Sequence, residues 1–275
     1  MKIALFGTCR LASIRRHFDC TDFDDAISFV HSTKEIIQLM KFITKQVEIP
    51  ETINQFCFRT GILNRQPVAY SNRFMTQFNE ADLFVIEICA MKKYLFRGYY
   101  LHHLAVDERH GFYKKTPEHI LQETVVRYQD RQEIKKDILE IMELVAPRKI
   151  LMVSHINSAI EMDEHRPLFQ RVYAAADRLV RRTFSFVAPP MPEENSTSHG
   201  TTIGSRAERI VLLRSMAQET GIAFFDPTIA LSRYRQKRIL QAEIPDMPPV
   251  HYTNFGNKVM GRLYAREIEK IMECP

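Results

Sequence analysis

Short apolar runs recur along the chain at residues 3–6, 26–30, 83–88, 150–153 and 223–225. Each is rich in Ile, Val, Leu or Phe and lacks the alternation of a strand with one wet face. They predict short strands buried on both faces. Between them the period becomes helical. Residues 11–18 follow the first run at once. Ser32-Thr33-Lys34-Glu35 reads as a capping box, and Ile36, Ile37, Leu39, Met40 and Ile43 form the apolar side of the helix it opens. Residues 133–145 place Ile134, Ile138, Ile141, Met142 and Val145 on one face and stop before Pro147. Residues 207–220 end at Gly221, and 257–272 form the last amphipathic stretch.

Strand and helix in alternation predict an α/β fold, a three-layer α/β/α sandwich around a five-stranded parallel sheet. The chain reads as one domain over residues 1–275, interrupted near 50–80, 91–117 and 188–204. Ligands of such sheets bind outside the C-terminal ends of the strands. The places to search are therefore residues 7–10, 31–34, 87–93, 154–157 and the segment after Asp226.

Composition narrows the classes. No stretch approaches the roughly 18 apolar residues of a membrane span, and the N-terminus lacks a signal-peptide pattern, so a cytoplasmic protein is expected. The 5 cysteines include no CxxC pair, which argues against a disulfide framework and a zinc knuckle. No metal is expected. The net charge of +5 suits an acidic or phosphate-bearing ligand and is too diffuse for nucleic acid.

Gly7-Thr8-Cys9-Arg10 joins the first strand to the first helix. A thiol there meets the positive end of a helix, which favours thiolate, and outward backbone N–H groups able to receive an oxyanion. Gly7 lets the backbone come close. Near the other end, His251 lies in Pro248-Pro249-Val250-His251-Tyr252-Thr253-Asn254-Phe255-Gly256, just before the last helix. From that loop an imidazole can reach the top of the sheet and serve as base and then acid for Cys9.

Gly-x-Cys after the first strand, with His-x4-Gly before the last helix, resembles the SGNH (GDSL-like) hydrolase superfamily, whose sheet is flavodoxin-like. Cys9 falls on the family's nucleophile and His251 on its base. A cysteine there is similar to the GSCFA proteins and to the WcbI-like capsule-polysaccharide acetyltransferases. The family's triad acid is replaced by Pro248, which implies a Cys–His dyad unless Asp246 or Asp226 orients the ring. Its second and third blocks are absent. Ser32 and Asn157, with Gly7, are the substitutes for the oxyanion hole, and Arg10, Lys34, Lys92 and His155 the ligand-binding candidates. The implied activity is acyl transfer, in particular acetyl transfer, through a Cys9 thioester onto a glycan or small hydroxyl or amine acceptor, with coenzyme A as a possible donor. Alternatives are an esterase or deacetylase, and a domain that binds glycan without catalysis. A further rival is a phosphatase, because Cys9 and Arg15 are spaced Cys-x5-Arg, although the segment between them has no glycine to shape a phosphate loop.

Overall fold

The computed structural model describes residues 1–21, 23, 29–157, 206–241 and 251–273. Its centre is a parallel sheet of β1 (Lys2–Phe6), β2 (Asp19–Thr21), β3 (Leu83–Ile88), β7 (Lys149–Ser154) and β8 (Ala223–Phe225), in the order β2-β1-β3-β7-β8. Counting only these strands, the order is 2-1-3-4-5, the flavodoxin-like arrangement, and it reverses direction between β1 and β3.

The pleat sorts side chains between two apolar layers. Ala4, Phe6, Phe84, Ile86, Ile150 and Met152 face the helices Thr33–Ile43, Arg131–Val145 and Arg206–Thr220. Ile3, Leu5, Leu83, Val85, Leu151 and Val153 face the Cys9 turn and the last helix, Asn254–Glu273. Both faces of the sheet's inner strands are dry, which is why those strands read as apolar runs.

Four of the five expected strands lie where the apolar runs put them. The second differs. The edge strand is Asp19–Thr21, paired with β1 from Lys2 to Ala4. Of the run expected at 26–30, residues 26–28 lie outside the described residues, and Phe29 makes one parallel bridge, to Gly7. Three polar or small residues on an edge need no apolar run, so periodicity passes over them. The first helix also differs: it is a 3₁₀ helix, Cys9–Arg16, that begins on the cysteine itself.

The expected insertions at 50–80 and 91–117 are ordered. The first forms helices Glu51–Cys57, Arg59–Asn64 and Asn72–Asn79. The second begins a small antiparallel sheet of β4 (Lys92–Phe96), β5 (Tyr99–Tyr100) and β6 (Val125–Tyr128). Residues 188–204 lie outside the described residues. The remaining strands, β9 (Leu240–Gln241) and β10 (His251–Tyr252), pair antiparallel beside the last helix. Among the described residues no helix is long and apolar enough to cross a membrane.

Candidate active site

The turn after β1 is built around a buried acid that periodicity hides. Glu87 sits near the end of β3, 1% exposed, on the face that carries the Cys9 turn. Its Oε2 accepts from the Thr8 N–H at 3.0 Å and the Thr8 hydroxyl at 2.5 Å. Its Oε1 accepts from Arg10 Nε at 2.7 Å. One carboxylate thus holds the residues on either side of Cys9. Burial works against the Arg10 charge, but Glu87 more than offsets this and leaves the guanidinium pKa raised. Gly7 permits the arrangement: a Cβ there would lie 2.6 Å from the Glu87 Cβ and 3.0 Å from Leu11 Cδ1.

Cys9 is half-buried and lines a cleft of about 290 Å³ with Leu5, Gly7, Thr8, Leu11, Ala12, Arg15, Phe29 and Arg59. The Arg59 guanidinium lies 4.5 Å from the centre of the Phe29 ring. A larger groove of about 630 Å³ lies beneath the opposite, N-terminal ends of β7 and β8. Its lining of Met142, Pro147, Lys149, Ile150 and their neighbours offers neither a thiol nor an imidazole, so the smaller cleft is the chemical one.

The last helix packs directly on the Cys9 turn. A Cβ at Gly261 would lie 2.9 Å from His17 Nε2 and 3.0 Å from the Ser13 carbonyl oxygen, so the close crossing favours glycine. This contact brings β10 alongside. Tyr252, next to His251, is buried, and its phenol is raised by burial, lowered by Arg10 and raised further by Glu87 and Cys9. His251 itself is half-buried at the head of β10 and is not among the residues lining the cleft. Asp226 does not turn toward it: Oδ1 accepts from the Thr228 N–H at 2.9 Å and Oδ2 pairs with Arg214 at 2.6 Å. Asp246, the other acid considered, lies outside the described residues.

Gly7 and Cys9 are therefore brought together in the cleft, and the other sequence candidates are not among its lining residues. The Ser32 hydroxyl caps its helix, accepting from the Glu35 N–H at 3.3 Å, while Glu35 reaches back to the His31 N–H at 2.9 Å. Lys34 pairs with buried Asp137 at 2.6 Å. Lys92 lies over the Tyr94 ring at 5.0 Å. Arg10 is the brace just described, not a cleft-lining cation. The Asn157 N–H donates to Thr228 Oγ1 at 2.8 Å. His155 stays at the C-terminal end of β7, neutral because burial and then Arg10, Arg206 and Arg209 pull its pKa down.

Between Cys9 and Arg15 the chain is helical, with the Leu11 N–H bonded to the Thr8 carbonyl at 3.1 Å. A phosphate loop would turn such N–H groups inward around an anion. A group that could hold a metal is His31, His102 and His103, with ligand atoms within 4.8 Å of one another. His102, however, already uses both nitrogens, Nε2 on the Phe29 carbonyl at 3.1 Å and Nδ1 on the Leu104 N–H at 3.2 Å. Two imidazoles remain, fewer than the three protein ligands of a catalytic zinc.

A cysteine in the turn after the first strand of a flavodoxin-like sheet, its two neighbours braced by a strand-borne acid, is the class of site this geometry defines. Residues 1–111 match the family model of the TviD N-terminal domain. The chain is 24% identical over 271 residues to the Vi polysaccharide biosynthesis protein TviD of Salmonella typhi, covering 95% of this chain and 31% of that protein. It therefore spans about a third of that relative's length. Two solved structures are also similar. One is the periplasmic domain of a lipopolysaccharide acetyltransferase from Salmonella ser. Paratyphi A, with 11% identity, a TM-score of 0.37, and coverage of 98% of this chain and 83% of that one. The other is a mutant of the acetyl-xylooligosaccharide esterase Axe2 from a Geobacillus, with 13% identity, a TM-score of 0.35, and coverage of 97% and 93%.

Proposed function

We propose that this chain is an acyltransferase or ester hydrolase acting on a glycan, with Cys9 as nucleophile and His251 as general acid and base. The observation that carries the reading is the bracing of the Cys9 turn by buried Glu87, which fixes Thr8 and Arg10 on either side of the cysteine and so presents the thiol to the cleft in one geometry. The packing of the last helix on that turn, with His251 just ahead of that helix, supports His251 as its partner. The similarity to a polysaccharide biosynthesis protein supports a glycan substrate.

In the first step Cys9 Sγ attacks the acyl carbonyl, and His251 takes the thiol proton and returns it to the departing alkoxide or thiolate. In the second an acceptor hydroxyl attacks the thioester, its proton passes through His251, and Cys9 is released as the thiol. Water in place of the acceptor gives hydrolysis. If the donor is an acyl-coenzyme A, Arg15 and Arg59 are the cleft cations suited to its phosphates.

Steady-state kinetics on an activated acetyl ester tests the pairing. Cys9→Ala and His251→Ala should each lower kcat/KM by about a thousandfold, and the double variant should be no slower than the worse single one, as for groups that act as a unit. Additive losses, or full activity in either variant, would refute the dyad.

A further inference from the structure

On the far side of β3 from the Cys9 turn, a second set of polar groups meets the C-terminal end of the sheet. Arg206 and Arg209 lie one turn apart at the start of the helix Arg206–Thr220. Arg209 donates to the Cys89 carbonyl at the end of β3, and Arg206 to the Ile156 carbonyl beyond β7 at 3.5 Å. These two carbonyls are their hydrogen-bond partners among the described residues, and neither arginine has a carboxylate within ion-pair distance there. Arg209 Nε is buried without a hydrogen-bond partner. So are Ser154 Oγ, on a residue 0% exposed, and His155 Nδ1. Ser154 is paired in register with Ile88, one residue before Cys89, so it ends β7 beside the carbonyl that Arg209 holds.

Burial lowers the pKa of both arginines, and for Arg206 the charges of Arg209 and Arg10 lower it further. Two guanidiniums one helical turn apart repel each other. Three buried polar atoms nearby have no protein partner, in a fold where such atoms are normally satisfied. An oxyanion would offset both costs at once, since carboxylate and phosphate accept from paired guanidiniums and from a hydroxyl.

We propose that Arg206, Arg209, Ser154 and His155 form an anion subsite, separate from the Cys9 cleft, that holds a carboxylate or phosphate group of the substrate. Because binding there does not need the thiol, the subsite stands whether or not Cys9 transfers an acyl group.

The test is a titration of the whole chain with inorganic phosphate and with acetate against sodium chloride at matched ionic strength, followed by calorimetry and thermal unfolding. At least one anion should bind saturably. Arg206→Gln or Arg209→Gln should weaken it roughly ten- to a hundredfold. Cys9→Ala, and Arg131→Gln on the open surface, should leave the affinity unchanged. Stronger binding of phosphate would identify a phosphorylated substrate, and stronger binding of acetate a carboxylate. Without anion, Arg209→Gln should melt about 2–4 °C higher than the native chain, because an uncompensated charge has been removed. That result separates lost binding from lost folding. No saturable binding beyond chloride, or binding unaffected in both arginine variants, would overturn the proposal.

Discussion

Replacing Glu87 by Ala removes the acceptor for Thr8 and one partner of the Arg10 guanidinium, whose side chain is 7% exposed. A buried ion pair broken on one side costs about 3–5 kcal/mol. Glu87→Gln keeps the shape and one carbonyl acceptor and should cost less. Both variants should lose ester turnover out of proportion to their loss of stability, which parallel denaturant melts and kinetics would read. A turnover that only tracks the folded fraction would make Glu87 a structural residue alone. A lone acid in the run Leu83-Phe84-Val85-Ile86-Glu87-Ile88 was visible in the sequence, but hydrophobic periodicity treats it as noise. Only the pairing of β3 with β1 brings it to Thr8 and Arg10. Arg206 and Arg209 are hidden in the opposite way, since charges spaced by three on a helix look like its wet face.

The histidines of the 91–117 insertion act as a group at the next scale. His31 and His103 meet edge to face with ring centres 4.3 Å apart, and His103 lies 4.9 Å from His110. Burial first, then the neighbouring imidazoles of His31 and His110, pulls the His103 pKa down to about 2. In the unfolded chain the same ring titrates near about 6.5. Between those values the unfolded state binds the extra proton, so the stability contribution is complete above about pH 6.5 and is lost as pH falls toward 2. The melting temperature should therefore drop between about pH 7.5 and about pH 5, and less steeply in His103→Asn. An unchanged slope in that variant would place the acid sensitivity elsewhere. The last helix carries a separate prediction. Gly261→Ala forces a methyl against the Ser13 carbonyl, at a cost of about 1–3 kcal/mol, and should separate β10 from the Cys9 turn. Activity should fall further than the same loss of stability produced by a core truncation such as Ile138→Val on another helix. The sequence marked this helix by its period and by His-x4-Gly, but not the crossing at Gly261, which depends on a non-local contact.

For the molecule as a whole, both-face burial made most of the central sheet legible, because strands covered on each side must be apolar throughout. The same logic fails at the edge, where Asp19–Thr21 makes the second strand with little apolar surface. The Cys9 turn was legible from its position, since β1 precedes the reversal of strand order where α/β sheets bind ligands. The start of the helix Thr33–Ile43 was legible as well, because the Ser32 hydroxyl caps it as its pattern implies. The central claim, that Cys9 carries the acyl group, is tested most directly by intact mass after brief exposure to an activated acetyl ester or acetyl-coenzyme A and an acid quench. One added acetyl group is expected, mapped to Cys9 by peptide analysis, absent in Cys9→Ala and released when a hydroxyl acceptor is supplied. An acetyl group that persists at another residue in Cys9→Ala, or turnover of either donor by that variant, would contradict it.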